Sequence, residues 1–485
     1  MQTVSCPSCG APLSFRSHAA VMAVCEYCRA TVLKEGDAVR DLGRMSEVLE
    51  DYSRIQVATS GVHGGRSFTV VGRIQLHYDA GMWNEWYVLF DDGTDGWLGE
   101  ASGQYVMTTR RDLPPGWPAF DDIEVTRQYD VGFGPYVAAD KRVARCTGGQ
   151  GELPFRVGPG WEARVADFRR GPSFATLDYS DGTPPLLYAG TAVTLEAMKC
   201  QLLRDDEQIK ASAGRYRGKV EVLACPACGS PVRYLPGLAA NCVCPSCSTR
   251  MDASSPKVEV LLKGEEHERV QFTLALGSVA KIAGQSYHVL GAMRREDEEG
   301  ETWDEYLLYA TQGPFFWLVE TAEGWSRSQL MDDWPAPPLP AMHSVQVDGV
   351  PYERTWEYRA RVVYAAGAFN WRVKAGDIVN VAEYEHGQNG LAAEHTAEEL
   401  SWSRSSPVAE DQVRTWFGLA TPAPKAARGK PLSNADIAWR TLLWILGLNV
   451  IPLIFNFSAT IFLLAAGLVA LFLPLMLAPD KTPKA

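Results

Sequence analysis

Eight of the eleven cysteines have the spacing of metal ligands. They fall into two sets, each with two Cys-x-x-Cys pairs separated by 15 residues: Cys6, Cys9, Cys25 and Cys28, then Cys225, Cys228, Cys244 and Cys247. Two such pairs close a tetrahedral cage of thiolates around Zn²⁺. The CPSCG and CPACG motifs supply the required turn, because proline fixes φ and glycine accepts a positive φ. We therefore predict two structural zinc ions.

The alternatives for these two sets are an iron centre and a catalytic zinc site with an open coordination position. Four thiolates fill a tetrahedral site, so the sequence disfavours metal catalysis. Cys146 and Cys200 are interpreted as small buried side chains, and Cys242 as a spectator. The N-terminal text MQTVSCPSCG has no apolar signal core. We therefore expect a reducing compartment, in which thiols bind metal rather than form disulfides.

One unit of the chain occurs twice. The second cysteine set follows the first at an offset of 219 residues, and Gly72 maps onto Gly291 at the same offset. The text NEWYVLF matches DEYLLYA, and LPFRVGPGWEARVADF matches FNWRVKAGDIVNVAEY at an offset of 216. Each unit therefore consists of a cysteine module followed by a longer module.

The longer modules have the pattern of short β-strands that end in tight turns, as in WYVLF followed by Asp91-Asp92-Gly93. The predicted fold is mainly β: a tandem duplication of a zinc ribbon plus a small β-barrel or sandwich module, with a C-terminal transmembrane helical hairpin. The predicted domains are zinc ribbon 1 (1–34), β module 1 (50–192), a helical linker (193–218), zinc ribbon 2 (219–252), β module 2 (266–408), a linker (409–436) and the transmembrane hairpin (437–478).

Residues 441–478 form an apolar segment of 38 residues without a charged side chain. As one helix it would be roughly 57 Å long, whereas a bilayer core is about 30 Å thick. Asn449, Pro452 and Asn456 interrupt its middle, so two spans joined by a turn fit better. One span with a re-entrant segment, and a buried hairpin in a soluble core, are the alternatives. Basic residues flank both ends, which predicts that both flanks lie on the cytoplasmic side.

Composition argues against a nucleic-acid binder. Lysine and arginine number 46, aspartate and glutamate number 58, and the net charge is −12. A surface that binds phosphates requires a basic face, and the cysteine modules contain few basic residues.

The β modules contain recurrent carboxylates but no recognisable catalytic motif. Glu100 recurs as Glu320, and Glu85 recurs as Glu305 beside an aromatic strand. Paired carboxylates can transfer protons, but these side chains can equally satisfy buried polar groups. The tryptophans at strand spacing are interpreted as barrel core, with an aromatic cleft for a ligand as the alternative. The sequence therefore assigns no catalytic residue.

The text SGVHGGRSFTVVGRI, NEWYVLFDDGTDGWLGEASGQY and WRVKAGDIVNVAEYEHGQNGLAAEHTAEELSWS resembles the bacterial family called domain of unknown function 4178. The resemblance covers both β modules. It implies no established activity and no catalytic residues. It does imply membrane-linked bacterial proteins, often found beside membrane-remodelling, phage-shock-like proteins and polyamine-synthesis-like enzymes.

These observations favour a non-enzymatic adaptor that is anchored in the bacterial inner membrane, with its soluble part and its C-terminus in the cytoplasm. Anchoring raises the effective concentration of a protein partner at the membrane. A basic partner segment or a polyamine is a further candidate ligand of the acidic soluble part. The alternatives are an enzyme or accessory subunit that uses Glu100 and Glu320, and a nucleic-acid-binding ribbon protein. The sequence names neither a partner nor a small-molecule substrate.

Overall fold

Strands make up almost all of the secondary structure of the described residues. The computed structural model describes residues 2–17, 19–28, 30–35, 38–44, 53–78, 81–101, 103–157, 161–205, 221–234, 241–252, 259–262, 270–310, 315–419 and 461. Residues 1–419 form one compact unit.

The first half of this unit contains fifteen described strands and one short 3-10 turn at Phe120–Asp122. The strands are β1 (Gln2–Ser5), β2 (Pro12–Phe15), β3 (Met22–Val24), β4 (Ala30–Glu35), β5 (Ala38–Arg44), β6 (Ser60–His63), β7 (Arg66–Tyr78), β8 (Gly81–Phe90), β9 (Asp95–Ala101), β10 (Gln104–Arg111), β11 (Gln128–Asp130), β12 (Pro135–Leu153), β13 (Glu162–Arg170), β14 (Ser173–Asp178) and β15 (Leu186–Val193).

The second half repeats this series strand for strand, and helix α1 (Glu410–Phe417) follows it. The strands are β16 (Glu221–Ala224), β17 (Pro231–Tyr234), β18 (Asn241–Val243), β19 (Arg250–Asp252), β20 (Glu259–Leu262), β21 (Val279–Ile282), β22 (Gln285–Glu296), β23 (Thr302–Tyr309), β24 (Phe316–Glu320), β25 (Trp325–Leu330), β26 (Ser344–Val347), β27 (Val350–Phe369), β28 (Ile378–His386), β29 (Asn389–His395) and β30 (Leu400–Val408).

Each half forms a closed, barrel-like ring of eight antiparallel strands. In the first half the neighbours are β12, β13, β14, β15, β10, β9, β8 and β7, and β7 pairs again with β12 to close the ring. In the second half β27, β28, β29, β30, β25, β24, β23 and β22 close in the same way. The prediction of a mainly β chain with a duplicated unit is therefore confirmed. In the cysteine modules, β3 and β18 extend these sheets by pairing with β12 and β27.

Strand β8 shows why the aromatic-rich strands of the rings have apolar side chains on both faces. Trp86, Val88 and Phe90 pack into one core cluster, whereas Tyr87 and Trp83 belong to another on the opposite side of the strand. A strand covered on both faces carries apolar residues at consecutive positions instead of alternating with polar ones. The interpretation of these tryptophans as core therefore agrees with their positions in the structure.

The recurring glycine of the repeat lies where the ring closes. Gly72 of β7 pairs with Gly151 of β12, and Gly291 pairs with Gly367 in the second half. A Cβ atom on Gly72 would lie 1.8 Å from the carbonyl oxygen of Glu152. Gly151 adopts a φ of +67°, and a Cβ there would lie 2.2 Å from a neighbouring carbonyl oxygen. Only glycine allows the two backbones to approach this closely.

The two halves contact each other through different surfaces. A β-bulge in β12 lies between Ala138 and Asp140, and Asp140 forms a bridge with Glu399, just before β30. The amide of Lys141 donates a hydrogen bond to the Glu398 carbonyl oxygen at 3.0 Å, and Arg142 pairs with Glu399 at 2.9 Å. One apolar core cluster includes side chains from both halves. The halves therefore pack head to tail.

Two predicted elements differ from the structure or fall outside it. The helical linker (193–218) is described to residue 205, and that part forms turns instead of helix, with positive φ at Lys199 and Leu202 and a bridge from Ser60 to Gln201. Its apolar side chains pack on the first ring instead of lining one helical face. The predicted hairpin (437–478) lies outside the described residues, apart from residue 461. Among the helices that the structure describes, none has the length and apolarity needed to span a bilayer.

Candidate metal centres and buried carboxylates

Each cysteine set lies on two turns that follow short strands. In the first half the turn after β1 carries Cys6 and Cys9, and the turn after β3 carries Cys25 and Cys28. The Gly10 amide donates a hydrogen bond of 2.8 Å to the Cys6 carbonyl oxygen. Gly10 has a φ of +77°, and its counterpart Gly229 has a φ of +74°. The positive φ expected from the CPxCG text is therefore present in both copies.

The four sulfur atoms of each set are arranged as the corners of a small polyhedron. The Cys6–Cys28 and Cys9–Cys25 Sγ atoms are 3.6 and 3.7 Å apart, and within each set all four sulfurs lie within 4.8 Å of one another. The corresponding distances in the second set are 3.7 and 3.6 Å. A tetrahedral site with Zn–S bonds of about 2.3 Å requires S···S edges of about 3.8 Å. Both sets can therefore hold a metal ion, and their donors fit zinc.

Electrostatics in the first set favour a cation among the thiols. The Ala30 amide and the neighbouring thiols lower the pKa of Cys28 to about 7. The Ala11 amide also lowers the pKa of Cys9, but hydrogen bonds from the other thiols and burial outweigh it and raise that pKa to about 12. A divalent metal ion among the sulfurs would favour the thiolate form of Cys9, which the other thiols and burial otherwise keep protonated.

The second set shows the same contrast. The side chain and amide of Ser230 lower the pKa of Cys228 to about 6. Burial raises the pKa of Cys244 to about 12, although the Ser246 amide donates to its sulfur at 3.4 Å. Cys244 is fully buried, whereas Cys228 is exposed. Both centres therefore lie at the surface with one side set into the core, which suits a structural ion.

The other three cysteines lie away from these ligand positions. Cys242 is buried in β18 and packs in the core beside the second set, outside the group of four close sulfurs. Burial raises the pKa of Cys146 and of Cys200 to about 11, and both side chains are half-buried against apolar clusters. Thiols in such surroundings are poor nucleophiles at neutral pH.

The recurrent pair Glu100 and Glu320 is engaged with the chain itself. Glu100 Oε2 accepts hydrogen bonds from the Ser53 hydroxyl at 2.6 Å and from the Trp86 indole at 2.9 Å. Glu320 accepts bonds of 2.8 Å from Thr273 and from Tyr306, the counterpart of Trp86. In both halves the carboxylate thus ties the segment that enters the ring to strand β8 or β23.

The acidic turn that follows β8 also has a local role. Asp92 accepts hydrogen bonds from the amide and hydroxyl of Thr94 at 2.9 and 2.5 Å and pairs with Arg66 at 3.1 Å. The Thr94 bonds and Arg66 lower the pKa of Asp92 to about 2. These contacts make Asp91-Asp92-Gly93 the hairpin turn that the sequence indicates.

A set of three carboxylates recurs inside each ring, and sequence reasoning identified only its first member. Glu85, Asp167 and Asp178 lie on β8, β13 and β14, and their counterparts lie on the matching strands of the second half: Glu305, Glu383 and Glu394. The missed pairs match at the offset of 216 that aligns the two units. A carboxylate at the same aligned position in both copies was the signal that could have revealed them.

Burial dominates the electrostatics of these carboxylates. It raises the pKa of Glu85, of Asp167 and of Asp178 above their usual values, and in the second ring it does the same for Glu305 and Glu383. The Trp83 indole donates to Glu85 at 2.9 Å, and the Trp303 indole donates to Glu305 at 2.8 Å. The same tryptophan–glutamate pair is therefore built into both rings.

The fold and the two cysteine centres define a duplicated β protein in which each copy joins a zinc-ribbon-like module to an eight-stranded ring. The family model described as "Domain of unknown function (DUF4178)" matches residues 56–195 and 275–410, together more than half of the chain. The chain belongs to this family and contains two copies of its domain. Comparisons with curated proteins and with solved structures returned no match.

Proposed function

We propose that the chain is a non-enzymatic adaptor that holds a protein partner at the membrane. The observation that supports this proposal is an exposed residue in the bulge of the second copy. The β-bulge of β12 that contacts the second half at Asp140 recurs in β27, where Trp356 takes the place of Asp140. Trp356 is 66% exposed. An exposed tryptophan at the position where the first copy makes its contact is typical of a protein-binding hot spot.

The contacts of the candidate catalytic groups support an adaptor rather than an enzyme. Glu100 and Glu320 accept hydrogen bonds from side chains of their own modules, which fits a structural role for both carboxylates. Four-cysteine centres leave no coordination position for a substrate. We infer that the metal in both centres is zinc with a structural role. Metal analysis of the purified chain should give about two zinc ions, and less than about one would contradict the assignment.

The proposed anchor is the apolar segment 441–478, which contains no charged residue. Two spans would leave both of its basic flanks in the cytoplasm with the cysteine modules. The full chain should remain in the membrane pellet after alkaline carbonate extraction, and a chain that ends at residue 436 should be released. Recovery of the full chain in the soluble fraction would refute the anchor.

The partner surface is tested with a photo-crosslinking amino acid placed at position 356 of the full chain in membranes. A matched control places the same amino acid at Tyr27, an aromatic residue in the first cysteine module that is 73% exposed. We expect position 356 to trap a discrete protein that position 27 does not trap. In the unlabelled chain, Trp356→Ser should abolish co-purification of that protein, whereas Tyr27→Ser should not. Equal trapping at both positions, or co-purification that survives Trp356→Ser, would refute the proposal.

A further inference from the structure

The two rings treat their matching carboxylates differently. In the second ring, Arg295 lies opposite Trp303 on the neighbouring strand. Its guanidinium group pairs with Glu394 through two bonds of 2.9 and 3.2 Å and with Glu305 at 3.4 Å. The side chain is 8% exposed. Glu305 and Glu394 therefore form a guanidinium-binding site, and Arg295 of the same chain occupies it.

The first ring keeps the carboxylates and lacks the arginine. Leu76 lies opposite Trp83, the register that Arg295 and Trp303 have in the second ring. Glu85 and Asp178 are the counterparts of Glu305 and Glu394. Leucine carries no donor, and its shorter side chain does not reproduce the reach of an arginine.

Other basic groups of the first ring are directed elsewhere. Arg142 pairs with Asp140 and with Glu399. Arg169 lies over the Phe174 ring, with its guanidinium carbon 4.6 Å from the ring centroid, and acts on Asp167. The charged groups that act on Glu85 and Asp178 within the described residues are all acidic. Within the described residues, Glu85 and Asp178, the counterparts of the pair that binds Arg295, therefore form no ion pair with a basic side chain.

We infer that Glu85 and Asp178 of the first ring bind the guanidinium group of a ligand, in the position that Arg295 fills in the second ring. The Trp83 indole holds one oxygen of Glu85 through its 2.9 Å bond, which leaves the other oxygen of that carboxylate for the ligand. The amide of Ser180, at 2.9 Å, and its hydroxyl both donate to Oδ1 of Asp178, which leaves Oδ2 for the ligand. Both Glu85 and Asp178 are partly exposed residues. The ligand is either a free guanidinium compound or the arginine side chain of a partner.

The test exchanges the residue that distinguishes the two rings. The probes are methylguanidinium and an arginine-containing tripeptide, added to the ¹⁵N-tryptophan-labelled full chain. The signals of interest are the indole resonances of Trp83 and Trp303. Wild type should show a saturable shift of Trp83 alone. Leu76→Arg should abolish that shift, Arg295→Leu should add a shift of Trp303, and the double exchange should move Trp303 alone.

The two probes distinguish the sources of the ligand. A response to methylguanidinium alone assigns the site to free cations, and a response to the tripeptide as well admits a partner's arginine. Asp178→Asn should weaken binding of methylguanidinium by roughly tenfold or more, because it removes one of the two carboxyl groups that accept hydrogen bonds from the cation. The inference fails if Trp83 of the wild type shows no saturable shift. It also fails if folded Leu76→Arg binds as wild type, or if Arg295→Leu leaves Trp303 unaffected.

Discussion

Glu85→Gln should stabilise the protein at alkaline pH, although it removes a residue that recurs in both rings. Burial raises the pKa of Glu85 from its ordinary 4.5 to about 8, and the charges of Asp167 and Asp178 add to the effect. A carboxyl group whose pKa is higher in the folded state favours folding below its unfolded pKa. It loses that contribution as the pH rises through the folded pKa. Glutamine stays neutral and still accepts the Trp83 bond.

The magnitude follows from the two pKa values. Each unit of difference between the folded and unfolded pKa corresponds to about 1.4 kcal/mol. A fully buried Glu85 would therefore destabilise the folded chain above pH 8 by up to about 5 kcal/mol. The side chain retains partial contact with solvent, which screens its charge. We therefore expect Glu85→Gln to stabilise the chain by roughly 2 kcal/mol at pH 9 and by much less at pH 5.

The matched control is Glu394→Gln in the second ring. Glu394 binds Arg295 through two hydrogen bonds, and removing its charge leaves a buried guanidinium group with one distant partner, Glu305. Breaking a buried pair from one side costs about 3 kcal/mol. Glu394→Gln should therefore destabilise the chain at both pH values, whereas Glu85→Gln should stabilise it at pH 9.

The assay is urea unfolding followed by tryptophan fluorescence, with zinc-saturated protein at pH 5 and pH 9. Each variant is compared with wild type at the same pH, so that any change common to both proteins cancels. A Glu85→Gln midpoint below that of wild type at pH 9, or a difference of the same size at both pH values, would refute the assignment of Glu85 as a destabilising buried acid.

Three further predictions concern the cysteine centres and the closure of the ring. Cys25→Ser removes a fully buried ligand and should reduce the zinc content from about two ions per chain to about one; an unchanged content would contradict the ligand assignment. Glu152→Ala removes the acceptor of two backbone amides at 2.7 and 2.8 Å. It should lower the free energy of unfolding by about 2–4 kcal/mol and speed hydrogen exchange at those two amides. Glu152→Gln, the control, should lower it by less than about 1.5 kcal/mol. Gly151→Ala places a Cβ 2.2 Å from a carbonyl oxygen and should lower the free energy of unfolding by more than about 3 kcal/mol. Gly93→Ala, where a Cβ meets open space, should lower it by about 1 kcal/mol. Equal losses would show that the close approach is unimportant.

The sequence predicted those features that depend on local spacing. The CPxCG text and the 15-residue separation grouped the right sulfurs, because a turn that contains two ligands is specified by five consecutive residues. Alternation and turn residues identified the strands, and the offset of 219 identified the duplication. These signals lie within single turns or recur as text.

Pairings between distant strands could not be predicted in this way. The closure of the first ring depends on the pairing of Gly72 with Gly151, and the two residues are far apart in sequence. The pairing of β3 with β12 likewise has no local signal in the sequence. Asp167 and Asp178 looked like ordinary strand residues, because only the ring brings them near Glu85.

The head-to-tail contact between the copies explains why one face of the duplicated unit stays available. When two identical units associate through two different surfaces, one example of each surface is left uncovered. The bulge of the first copy is used, because Asp140 and Arg142 contact Glu399. In the second copy, the position that is acidic in the first copy is the exposed Trp356. The contact between the two copies therefore uses the bulge of the first copy, and the bulge of the second copy carries a tryptophan in place of the aspartate. The exposed Trp356 at this position is the observation on which the proposed protein-binding surface rests.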